Sequence, residues 1–139
     1  MQARTLALLL ALAIASPGCD VYRDQVIIVP EDMQPGWIVV EFGNSKCPSA
    51  SGLVSHRIEL SAGGCACTSN PVPGVFNIKF LRKQGSSLVE LDDGVDVRNV
   101  GHTSMHDRRY LIAEYRRHNQ GPQQMFEFAV ERCRNSNPN

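Results

Sequence analysis

The stretch "VIIVPEDMQPGWIVVEFG", residues 26–43, holds two apolar runs, Val26 to Val29 and Trp37 to Phe42, separated by a segment containing Pro30, Pro35 and Gly36. Both runs are short, bounded by turn-forming residues, and lack the sustained 3.6-residue period of a helix. They predict two strands. Outward from them the pattern repeats, and further strands are expected at Arg57 to Leu60, Cys65 to Thr68, Val75 to Leu81, Leu88 to Leu91, Tyr110 to Tyr115 and Met125 to Arg132. Alternation is clearest in "FNIKF", where Phe76, Ile78 and Phe80 share a face, and in "FEFAVE", where Phe126, Phe128 and Val130 do. Those six side chains are the expected core. Glycine turns in "SAGGC" and in "RKQGSS", the latter with Gly85 at its tip, predict two hairpins. Residues Asp92 to Arg109 read as an irregular connection in which "TSMHDRR" forms one short helical turn. The expected fold is all-β, a small antiparallel β-sandwich or barrel-like domain.

The N-terminus reads as a targeting segment. Arg4 supplies positive charge, and Leu6 to Ala15 form an apolar core too short to span a bilayer. Two cleavages compete. Ala13-Ile14-Ala15 has the small-x-small pattern that releases a soluble protein, while Gly18-Cys19 is the arrangement of a bacterial lipoprotein, in which Cys19 carries the acyl chains. Ser16 and Pro17 depart from the usual residues before such a cysteine; Gly18 conforms. Residues 1–18 are expected to be a lipoprotein-type signal peptide, 19–25 a tether, 26–133 a single β-rich domain, and 134–139 a flexible tail.

Five cysteines, Cys19, Cys47, Cys65, Cys67 and Cys133, are an odd number for an exported chain. Assigning Cys19 to a lipid leaves four to form two disulfides. Cys65 and Cys67, two apart on a strand, would strain the backbone if bridged to each other. Each is therefore expected to pair with one of Cys47 and Cys133, in an order the spacing leaves open.

The segment around Trp37 also resembles a family of bacterial secreted and lipoprotein domains of unknown function, in which a "VPxGYxGWVxVEYG" motif leads. Pro30, Gly36, Trp37, Val39, Glu41, Phe42 and Gly43 occupy that motif; Gly64, Thr68 and Ser69 match a following glycine turn; Phe76, Phe80, Gly85 and Leu88 match a strand and hairpin. Gly101 and Phe126 to Val130 are similar to its later segments. The resemblance implies an envelope location and a β-rich fold, and it carries no catalytic residues. Here "FNIKF" stands where the family has a tyrosine-rich strand, and the four downstream cysteines are additions.

Fourteen basic and fourteen acidic side chains give zero formal charge, so bulk electrostatics provides no reason to expect nucleic acid. No cofactor is implied. His102, His106 and Asp107 in "HTSMHD" have a spacing compatible with a metal or hydrolytic site, but they lack the glutamate of a metalloprotease box. Surface histidines are the simpler expectation. Likewise "GCACTS" with His56 or Met33 could bind a soft metal, but disulfides are the expected use of those thiols. Trp37 is the sole tryptophan; Ile38, Val39 and Val40 beside it favour core packing over an exposed ring that stacks on sugar. Tyr110 and Tyr115, with the arginines before and after them, have the composition of a protein-binding face. The expected function is that of a non-catalytic lipoprotein facing the periplasm or exterior, a binding or structural module tethered to the membrane through Cys19. The rivals are a freely secreted binding or inhibitor protein and a metal-binding or hydrolytic protein.

Overall fold

A computed structural model describes residues 24–50, 55–72 and 77–138. Eight strands and one helix follow in chain order: β1 (Asp24–Val29), β2 (Gly36–Phe42), β3 (Ser55–Glu59), β4 (Cys65–Cys67), β5 (Ile78–Gln84), β6 (Ser87–Glu90), β7 (Val97–Met105), β8 (Arg108–Tyr115) and α1 (Phe126–Ser136). The strands form two four-stranded sheets, ordered β3-β1-β5-β6 and β4-β2-β8-β7. The two runs of the opening stretch lie at interior positions, β1 in one sheet and β2 in the other. The connection between them, closed by a Met33 N–H bond to the Pro30 carbonyl at 3.2 Å, carries the chain from sheet to sheet.

Both faces of β2 are covered. Ile38, Val40 and Phe42 join Ile27, Val29, Ile58, Phe80, Leu111, Ala113 and Tyr115 in the core between the sheets. On the other face Val39 packs with Tyr110, Ile112, Ala129, Val130 and Cys133 beneath α1, with Trp37 and Phe126 beside them. This is why "WIVVEF" is a continuous run and does not alternate.

The all-β, two-sheet architecture is the expected one, but half of its strand pairings are parallel. β1 runs parallel to both β3 and β5, and β2 parallel to β4; β2–β8, β5–β6 and β7–β8 are antiparallel. "RKQGSS" is the expected hairpin, with Gly85 at φ 58°. "SAGGC" is a tight turn but not a hairpin: β3 belongs to one sheet and β4 to the other.

"FEFAVE" is helix, not strand. Its buried positions are Ala129, Val130 and Cys133, with Phe126 partly buried, a spacing of 0, 3, 4 and 7 that forms one helical stripe. Phe128, which strict alternation placed in the core, is 65% exposed. Glu127 in the first turn and Arg134 in the last suit the helix dipole. Nor are residues 134–138 a loose tail. The helix runs on to Ser136, and Asn137 and Pro138 are bonded to β2 and the residue group after it.

Residues expected to be irregular form β7 and a hairpin to β8. Its two-residue turn is His106-Asp107, with φ of 52° and 60°, the left-handed pair that a type I′ turn requires, in place of the expected helical turn. β7 is an edge strand on which Val97 alone is buried, so it carries no apolar run to betray it. The targeting segment, Cys19 and the core candidate Phe76 lie outside the described residues. Among the described residues no helix is long and apolar enough to cross a membrane.

Candidate functional site

A cleft of about 670 Å³ opens where the β1–β2 connection, the 60–65 turn and the segment leading into α1 meet. Its walls include Asp32, Trp37, Gly63, Gln120, Pro122 and Arg132. Three short-range devices fix the walls. Met33, 2% exposed, anchors the first connection in the core. The Gly64 carbonyl accepts from the Val39 N–H at 2.8 Å, and its φ of 82° and close approach to Trp37 exclude a side chain there. Arg117 and Gln120 exchange backbone hydrogen bonds of 3.0 and 2.9 Å around a turn whose His118 and Asn119 both have positive φ.

Trp37 is fixed as well. Its Nε1 donates to the Gln124 carbonyl at 2.6 Å, and its ring meets Phe126 edge to face at 6.0 Å. The ring is partly buried against α1, so core packing describes one side of it, and the cleft lies against it as well. Arg132 crosses to the Gly63 carbonyl at 3.0 Å, next to the Cys65–Cys133 disulfide that ties α1 to β4. The second disulfide joins Cys47 to Cys67. Each of Cys65 and Cys67 thus pairs with one of the outer two, and the order left open by the spacing is settled.

At the other end of β2 the carboxylate of Glu41, 3% exposed, organises the C-terminus. Oε1 accepts from Asn44 Nδ2 at 3.2 Å and faces Arg108 Nε at 3.6 Å, and Oε2 accepts from Asn137 Nδ2 at 2.7 Å. Asn44 Nδ2 also donates to the Pro138 carbonyl at 2.9 Å. A buried charge is tolerated only when it is paired and hydrogen-bonded, as here. Glu41→Ala takes an acceptor from Asn44, Asn137 and Arg108 and is expected to cost about 2 kcal/mol. Urea denaturation should show the loss, with faster amide exchange confined at first to the end of α1.

Trp37, Val39 and Glu41 of the "GWIVVEFG" motif therefore share the β2 face on which α1 sits: they touch Phe126, the Ala129–Val130–Cys133 stripe and Asn137 respectively. Tyr110, the register partner of Glu41, lies beneath the same helix. Burial, and secondarily the Glu41 carboxylate, hold its phenol above the ordinary value of 10.0. The fold favours the neutral phenol, so the stability it contributes is intact below about pH 10 and is lost as pH rises through the raised value. Tyr110 and Tyr115 are 0% and 1% exposed. They are core residues, which removes them from the expected protein-binding face.

The candidate metal residues are not gathered. His102 lies on β7 against the edge of Phe42, its pKa lowered by partial burial and then by Arg109. His106 pairs with Glu131 on α1, and Asp107 sits in the exposed hairpin turn. Among the described residues no three His, Cys, Asp or Glu side chains group as a metal site. The thiols of "GCACTS" are in disulfides, and Met33 is in the core. The strand pattern gave no sign of the cleft, whose one readable trace is the amide-rich "QGPQQ" at residues 120–124.

No family model matches the chain, and no curated protein matches it. Among solved structures it is similar to a candidate lipoprotein from Bacillus anthracis, with a TM-score of 0.61 at 14% sequence identity, over 81% of this chain and 90% of that one. At that identity the likeness is one of fold.

Proposed function

We propose that the protein is a non-catalytic lipoprotein of the bacterial envelope, anchored by acyl chains on Cys19, whose folded domain acts as a binding module. The observation that carries this reading is the cysteine pairing. Cys47–Cys67 and Cys65–Cys133 consume four of the five cysteines, and the remaining one follows Gly18 directly behind an apolar targeting segment. The fold likeness to a candidate lipoprotein agrees with it. Several acyl chains, at about 0.8 kcal/mol per buried methylene, hold a protein stably where one chain would not.

Cys19 stands five residues before the start of β1, a reach of at most about 18 Å at full extension. β1 then carries the chain roughly 16 Å further, from Asp24 to Val29, before the connection that walls the cleft. The point where the chain enters the domain and the cleft are at opposite ends of β1.

The test is to express the protein in a bacterial host supplied with radiolabelled palmitate and to fractionate the cells. The wild-type chain is expected in the membrane fraction carrying label, and Cys19→Ser in the soluble fraction without it. An unlabelled, soluble wild-type protein would overturn the anchor and favour free secretion after Ala15.

A further inference from the structure

We propose that the cleft beside Trp37 binds an uncharged saccharide chain. The inference rests on reading the domain as a non-catalytic binding module and is independent of the anchor. Four of the chain's seven glutamines, Gln34, Gln120, Gln123 and Gln124, line this one cleft. Among the described residues, charge in the lining is limited to Asp32 and Arg132, one of each sign, and Arg132 is already engaged with the Gly63 carbonyl. Such a lining has neither the net field that gathers phosphates nor the acidic set that holds a cation.

What it offers instead is carboxamide. Each glutamine presents two donor hydrogens and an acceptor oxygen, and the matching ligand must donate and accept at closely spaced points, as neighbouring sugar hydroxyls do. Trp37 supplies the other half of the recognition. Because its Nε1 is committed to the Gln124 carbonyl, the ring has only its carbon surface to offer the cleft, and that surface suits the C–H face of a pyranose. A proline-rich peptide docks in grooves lined by several aromatic rings; this lining has one. The volume, about 670 Å³, is that of a site for a drug-sized ligand, here roughly two or three sugar rings. The walls are held by a disulfide and backbone hydrogen bonds, so little ordering is required of the protein on binding.

Because Trp37 is the sole tryptophan, its fluorescence reports on the cleft directly. The full-length protein as isolated, in a detergent without a sugar headgroup, is titrated with cellotetraose and with fully N-acetylated chitotetraose. A saturable change in emission is expected with at least one of them. Gln120→Ala/Gln123→Ala, which alters two exposed side chains, should raise the dissociation constant about tenfold while leaving circular dichroism and the melting temperature unchanged. No saturable response to either sugar, an unaltered constant in the double variant, or saturation by decaproline in place of the sugars would overturn the inference. Cleavage of a bound tetrasaccharide, seen by mass spectrometry, would instead defeat the non-catalytic reading and leave the site standing.

Discussion

Replacing Cys65 and Cys133 together with serine is expected to lower the stability of the domain by about 4 kcal/mol. The bond spans 68 residues of sequence, whereas Cys47–Cys67 spans 20. Closing the longer loop removes more conformational freedom from the unfolded chain, and the chain-entropy relation gives about 4 kcal/mol for it against about 3 kcal/mol for the shorter. Its place in the fold adds to the loss. An 11-residue helix is marginal alone in water, and α1 depends on the face of β2 and on this bond for its seat. Urea denaturation monitored at Trp37 measures the effect, since the indole is held by Gln124 and Phe126. Against a typical total of about 5–15 kcal/mol the double variant should be visibly marginal. A loss under about 1 kcal/mol would contradict the role given to α1.

Gly64→Ala is expected to cost about 3 kcal/mol or more. A β-carbon there would lie 2.3 Å from the Trp37 carbonyl oxygen and 2.7 Å from Met33 Cε, on a residue whose φ is 82°. The left-handed backbone costs an alanine about 1–2 kcal/mol, and forcing atoms into a packed site costs about 1–3 kcal/mol more. Met33 can turn aside, but a main-chain carbonyl in the middle of a sheet cannot. Gly85→Ala provides the comparison, with φ 58° and nothing within 4 Å; it should lose only about 1 kcal/mol. Thermal melts of the two variants side by side decide the matter, and equal losses would contradict the packing described around the cleft.

What the chain disclosed before folding, and what it concealed, follows from burial. β1 and β2 hold the unbroken apolar runs Val26 to Val29 and Trp37 to Val40, set apart by Pro30, Pro35 and Gly36, so they were legible. β7 was hidden because an edge strand with one buried residue has little apolar pattern to display. The helix was hidden for a different reason: in "FEFAVE" the period of two and the helical stripe share Phe126 and Val130, and they part at Phe128, which is exposed, and at Ala129 and Cys133, which are buried. Tyr110 and Tyr115 show the same ambiguity, since tyrosines beside arginines suit an interface or the floor of a core equally well by composition. The disulfide partners could be narrowed by strand geometry, but their order depended on α1 reaching β4. The cleft was least legible of all. Its residues come from three connections distant in sequence, and no local period links Asp32, Gly63 and Gln120.

Intact mass spectrometry of the protein isolated from membranes, before and after reduction, tests the proposed lipid on Cys19 and the pairing of the other four cysteines at once. The expected result is a chain beginning at Cys19 with acyl groups attached, in which reduction exposes four thiols and no more. A chain beginning at Ser16, or one in which Cys19 bears a free thiol or bridges to a second copy, would contradict it.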